Sequence, residues 1–120
     1  MKKILVADDR AISRELVRTA LEGSGYEVFE AEDGVEAMEQ ARLHHPDAII
    51  LDLHMPRLDG FGVIAALRSE DEFAAVPVMA LTASAMVGDR ERALAAGFTG
   101  YIAKPIRLAA LREEVERLLR

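Results

Sequence analysis

Apolar residues recur along this chain in two rhythms. Short unbroken runs, Ile4-Leu-Val-Ala7, Ala48-Ile-Ile-Leu51 and Val76-Pro-Val-Met-Ala-Leu81, alternate with longer stretches in which every third or fourth position is apolar. An unbroken apolar run between turn formers reads as a strand buried on both faces, as in a parallel sheet covered by helices. The spaced stretches read as amphipathic helices. Residues 10–22 place Ile12, Leu16, Val17, Ala20 and Leu21 on one face and end at Gly23-Ser-Gly25. Asp33 and Glu36 have capping spacing ahead of a helix to about residue 43, with Val35, Met38 and Ala41 facing inward. Phe61, Ile64, Ala65 and Leu67 begin a third helix, a weaker one spans Ala85 to Ala96, and Leu108, Leu111, Val115 and Leu118 form the last stripe, with Glu113–Arg117 and Glu116–Arg120 as wet-side pairs.

Tyr26–Glu30 mixes charge with apolar residues in a way a central strand does not tolerate, so it belongs at an edge. Thr99–Ala103 is short and contains Gly100, which makes it the other edge. Ser69–Ala75 is a charged connection, and His44-His45-Pro46 closes the second helix as a solvated end, where histidine suits the negative end of the dipole. Five strand-helix units in strict alternation predict an α/β fold: a three-layer, doubly wound sandwich on a five-stranded parallel sheet of order 2-1-3-4-5.

Composition narrows the chemistry. The 120 residues suffice for one domain spanning 1–120 that buries roughly two thirds of its unfolded surface. The absence of cysteine excludes disulfides, iron-sulfur clusters and thiolate-bound zinc. A net charge of -6 argues against direct nucleic-acid binding, which rests on neutralising phosphates. The first apolar run is too short for a signal segment or a membrane span, so the expected setting is cytoplasmic, without membrane attachment.

The strand ends carry the candidate chemistry. Ligands of open parallel sheets bind at the carboxyl rim, at the point where strand order reverses. There the first strand runs into Asp8 and Asp9, the third into Asp52, the fourth into Thr82 and the fifth into Lys104. Three carboxylates at one rim repel pairwise by roughly 3 kcal/mol at about 5 Å and an effective dielectric of about 20. Lys104 answers part of that charge, and the excess invites a hard divalent ion, with all-oxygen ligation favouring Mg2+. Asp52 could then attack a phosphoryl donor in line, with Asp8 and Asp9 holding the metal, Lys104 pairing with a phosphoryl oxygen and Thr82 donating a hydrogen bond to another.

Taken together, Asp8-Asp9, Asp52 within Ile-Leu-Asp-Leu-His-Met-Pro, Leu58-Asp-Gly60, Leu81-Thr-Ala83 and Tyr101-Ile-Ala-Lys-Pro105 resemble the signature of the receiver domain of two-component response regulators, a flavodoxin-like fold. The similarity covers essentially the whole chain. It implies a phosphorelay role in which Asp52 accepts a phosphoryl group from a sensor histidine kinase or histidine phosphotransfer protein. It also implies that the backbone carbonyl of His54 completes the metal shell, that Lys104-Pro105 is a cis peptide, and that Thr82 and Tyr101 are the switch pair. The His54 side chain then only lines the site entrance, and Asp59-Gly60 is turn chemistry alone. By the same resemblance the protein is a monomer or weak dimer, not an enzyme toward other substrates, and its output is contact with a downstream target protein.

Two other functions fit parts of the pattern. A Mg2+-dependent phosphatase would share the aspartyl nucleophile, with His54 two positions on as acid or base, but the chain has no residues to spare for a substrate cap. A receiver-like binding module that is never phosphorylated would not need Asp8, Asp9, Asp52, Thr82 and Lys104 all intact.

Overall fold

The computed structural model describes residues 1–83 and 88–120. The elements in chain order are β1 (Lys3–Ala7), α1 (Ala11–Gly23), β2 (Glu27–Ala31), α2 (Gly34–His44), β3 (Ala48–Asp52), α3 (Gly60–Ser69), a 3-10 turn (Asp71–Phe73), β4 (Val78–Thr82), α4 (Asp89–Ala96), β5 (Gly100–Ala103) and α5 (Leu108–Leu118). All pairings are parallel, and the strand order is the predicted β2-β1-β3-β4-β5. The predicted start of the fourth helix at Ala85 lies outside the described residues.

Every residue of β3 and β4 is buried. Alternate side chains of the central strands feed two cores, as the pleat requires. Leu5, Ile49, Leu51, Val78 and Ala80 pack with Met38 and Ala41 of α2 and Val63, Ile64 and Leu67 of α3. Ile4, Val6, Ile50, Met79 and Leu81 pack with Val17 and Leu21 of α1 and Leu111 and Val115 of α5. The three layers follow from these two faces. None of the described helices is long and apolar enough to cross a membrane.

Several predicted inward positions face out. Ile12 is 85% and Leu16 42% exposed, because Val17, Ala20 and Leu21 already fill the contact with the sheet and Ile12 lies about 140° round the helix from Val17. Val35 is also exposed, Ala37 taking the inward position beside Met38, and Val63 replaces the exposed Ala65 on α3. The 69–75 connection is more than a charged link: it carries Phe73, 2% exposed, into the core. β4 begins at Val78 although the carbonyl of Pro77 already accepts from the Ile49 amide at 3.0 Å. Arg117 pairs with Glu114 rather than Glu113 and donates to the Thr99 carbonyl at 2.9 Å, which ties α5 to the start of β5.

Helix starts are set locally. Asp33 caps α2 by accepting from the Glu36 amide at 2.8 Å, and the Glu36 carboxylate returns to the Glu32 amide at 2.7 Å. Asp33 also holds Arg57, whose backbone is left-handed (φ 67°), at 3.1 and 3.2 Å. This docks the β3–α3 loop on the head of α2 so closely that a Cβ on Gly34 would lie 1.9 Å from the Leu58 carbonyl oxygen. Gly34→Ala is therefore expected to destabilise the fold by about 3 kcal/mol or more, read as a lower urea midpoint. Gly23→Ala, where a Cβ meets nothing within 4 Å, is the neutral control.

Candidate functional site

The parallel register brings the strand ends to one rim: Ala7 pairs with Leu51, Asp52 with Leu81, and Thr82 with Ala103. Asp8 therefore follows β1 beside the end of β3, and Lys104 follows β5 across the intervening β4. Asp8 is fully buried, Asp52 is 4% and Thr82 1% exposed, and Asp9 faces solvent. The Lys104 ammonium bridges two carboxylates, donating to Asp8 Oδ2 at 3.0 Å and to Asp52 Oδ2 at 2.9 Å. The other carboxylate oxygens are held by the backbone: Asp8 Oδ1 accepts from the Arg10 amide and Asp52 Oδ1 from the His54 amide, both at 2.9 Å. Among the described residues no buried side-chain nitrogen or oxygen lacks a partner.

One ammonium against three acids leaves the rim negative. Burial pushes the Asp8 carboxyl above its ordinary range, the Arg10 amide and Lys104 pull it back only in part, and the Asp52 charge pushes it up again. For Lys104, burial works against the charge, but the hydrogen bonds and charges of Asp52 and Asp8 outweigh it and raise its pKa. Carboxylate oxygens of Asp8, Asp9 and Asp52 lie within 4.8 Å of one another. An all-oxygen set with surplus negative charge and one exposed member fits a hard divalent cation, and Mg2+ in particular, which retains water ligands. The carboxylates open on a cleft of about 340 Å³ lined by Asp9, Arg10, Asp52, His54, Ala83 and Lys104.

The structure thus brings together Asp8, Asp9, Asp52 and Lys104, with Thr82 ending the adjacent strand, where its carbonyl accepts the Lys104 amide at 2.7 Å. The exposed His54 lines the cleft. Tyr101 pairs with Ala80, two residues below the Thr82 level, and is half-buried against the α2/α3-side core. Burial and the carboxylates of Asp89 and Glu91 raise its phenol pKa. Lys104-Pro105 is cis.

Asp59-Gly60 does more than turn the chain. Asp59 caps α3 by accepting from Gly62 at 2.8 Å, and a Cβ on Gly60 would lie 2.8 Å from the Asp52 carbonyl oxygen. The third helix can start directly under the end of β3 only with glycine there. The histidine pair is not simply solvated: His44 stacks on Phe29 with centroids 3.7 Å apart, and exposed His45 caps α2 in the left-handed region. Sequence reasoning missed Arg10 at the cleft wall and Arg14, which donates to the Asp8 backbone carbonyl at 2.8 Å. Nothing in the spacing marks either, since both read as polar positions of an amphipathic helix.

Comparison with known proteins agrees with this geometry. Residues 4–116 match the response regulator receiver domain profile. The polar-differentiation response regulator DivK of Brucella ovis is 37% identical over 118 residues, covering 98% of this chain and 96% of the relative. Among solved structures, the chemotaxis protein CheY4 of Vibrio cholerae superposes with a TM-score of 0.93 at 34% identity, covering 99% of each chain. The receiver domain of a Pseudomonas aeruginosa sensor histidine kinase, solved with a magnesium ion coordinated in its active-site cleft, gives a TM-score of 0.90 at 35% identity, covering 98% of this chain and 97% of that one. With its profile match over nearly the whole length and these relatives, the chain belongs to the response regulator receiver domains, the phosphoacceptor switches of two-component signalling.

Proposed function

We propose that residues 1–120 form one receiver domain in which Asp52 is the phosphoacceptor, charged by a sensor histidine kinase or histidine phosphotransfer protein and read by a downstream target protein in the cytoplasm. The observation that carries this reading is the posture of Asp52: one oxygen on the His54 amide, the other sharing the Lys104 ammonium with Asp8, at the wall of an open cleft. An oxygen of Asp52 attacks phosphorus in line, and the donor group leaves with the electron pair of the bond that breaks. Lys104 moves its ammonium from carboxylate to phosphoryl oxygen, and the Thr82 hydroxyl donates to a second phosphoryl oxygen. Asp8, Asp9, Asp52 and the His54 backbone carbonyl would hold Mg2+, which supplies charge neutralisation to the phosphoryl oxygens. The chain catalyses only its own phosphorylation and dephosphorylation.

Thr82 and Tyr101 form the switch. A dianionic group on Asp52 offers strong acceptors that draw the Thr82 hydroxyl, and the Tyr101 ring answers by moving inward. With the phosphate mimic beryllofluoride, fluorine-labelled Tyr101 is expected to shift while Tyr26 does not, and Thr82→Ala is expected to abolish the response. A Tyr101 signal that ignores bound mimic removes it from the switch.

The deciding measurement for the function is intact mass after incubation with Mg2+ and acetyl phosphate. One alkali-labile, acid-stable phosphoryl group per chain is expected, and none with chelator. Steady turnover of an added phosphomonoester would instead mark a phosphatase, and a wild-type protein that gains nothing from any donor would be a binding module only.

A further inference from the structure

The Asp8 carbonyl sits where regular sheet pairing ends. The Asp8 amide still donates to Ala31 at 3.1 Å, beyond the last paired residues of β1 and β2. Its carbonyl is taken by a side chain: Arg14 Nη1, from the second turn of α1, donates to it at 2.8 Å. The same guanidinium donates through Nε to Glu30 Oε1 on β2 at 2.8 Å, and Nη2 lies 3.6 Å from Glu32. Arg14 is only 12% exposed. Two further bonds close the loop on itself, the Arg10 amide to Asp8 Oδ1 at 2.9 Å and the Arg14 amide to the Arg10 carbonyl at 3.0 Å. One planar, always charged group therefore anchors the Asp8 backbone to the edge strand.

We propose that Arg14 is a positioning residue for cation binding: by anchoring the Asp8 carbonyl to Glu30 it holds the β1–α1 turn so that the Asp8 and Asp9 carboxylates stand at ligating spacing. The inference rests on the reading of Asp8 and Asp9 as Mg2+ ligands. Groups that orient ligands in this way commonly change metal affinity 10- to 100-fold when removed.

The protein contains its own control. Arg18, one helical turn farther along, bonds the same Glu30 carboxylate at 2.5 Å and Glu22 at 3.3 Å, and is 46% exposed. If Arg14 merely fastened α1 to β2 through Glu30, losing either arginine would act alike. Charge alone predicts the opposite sign, since removing a cation near the acids should tighten Mg2+ binding.

The test is calorimetric titration of the full chain with Mg2+, alongside thermal unfolding. Arg14→Ala is expected to weaken Mg2+ binding about tenfold. Arg14→Lys, which keeps the charge but lacks the rigid planar fork that fixes the carbonyl and Glu30 in one geometry, should fall between wild type and Arg14→Ala, and Arg18→Ala should stay within about twofold of wild type. Arg14→Ala binding as tightly as wild type or tighter, or Arg14→Ala and Arg18→Ala weakened equally, overturns the proposal. Should Arg14→Ala fail to fold, Arg14→Lys with wild-type affinity overturns it instead. Failure of the site reading has its own signature: Asp8→Asn and Asp9→Asn that bind Mg2+ like wild type, which sinks both conclusions.

Discussion

Asp52→Asn is expected to take up no phosphoryl group from acetyl phosphate and Mg2+ while remaining folded. The amide is not a nucleophile toward phosphorus, and among the acids at the rim only Asp52 ends the central strand β3. Folding should survive because the replacement keeps an oxygen for the His54 amide, and Lys104 keeps Asp8 as its partner. Removing one of three mutually repelling charges also relieves part of a repulsion of roughly 3 kcal/mol per pair at about 5 Å and an effective dielectric of about 20. The check is intact mass before and after alkali, beside a urea melt. Labelling that persists in folded Asp52→Asn would reassign the acceptor to another acid of the cluster.

Lys104→Ala should lower the stability of the metal-free protein by about 3 kcal/mol, a fall in Tm of roughly 10 °C for a domain this size. The ammonium is the shared hydrogen-bonding cation of Asp8 and Asp52, and Asp8 has no solvent exposure. Deleting it leaves a buried carboxylate with a single backbone donor. Asp8→Asn alone should have the opposite effect, a gain of about 1 kcal/mol, because burial and the Asp52 charge already work against the Asp8 carboxylate. In the double variant the Lys104 deletion should cost clearly less than in wild type, which a double-mutant cycle measures directly. Saturating Mg2+ should narrow the Lys104→Ala deficit, since ligand linkage favours the folded state. Lys104→Ala as stable as wild type would mean that water, not the ammonium, satisfies the acids. Functionally, the variant should still accept phosphate, more slowly, but lose the phosphorylation-dependent gain in partner affinity.

The sequence alone determined the layered sheet, its order and the rim at which chemistry gathers. Those features depend on patterns that read locally: a short unbroken apolar run between turn formers fits a doubly covered strand, a strand-length segment mixing charged and apolar residues fits an edge, and a polar residue ending each strand emerges at the same rim once all strands are parallel. Asp8, Asp9, Asp52, Thr82 and Lys104 were legible for that reason. Periodicity was less informative wherever a helix carries more apolar residues than its groove can bury, as with Ile12 and Leu16 on α1. Only the tertiary structure decided which acids are dry. Asp8 and Asp9 are adjacent and chemically identical, yet one is sealed and the other faces water, because Asp8 is still held in the sheet by its amide bond to Ala31 and covered by Lys104, whereas Asp9 already lies in the turn beyond it. It also decided that Lys104 bridges two carboxylates from residues 52 and 96 positions away. Arg14 on the Asp8 carbonyl and the packing of Gly60 under Asp52 were likewise decided in three dimensions. Each is a contact to backbone, and a backbone carbonyl carries no residue identity for a sequence pattern to register.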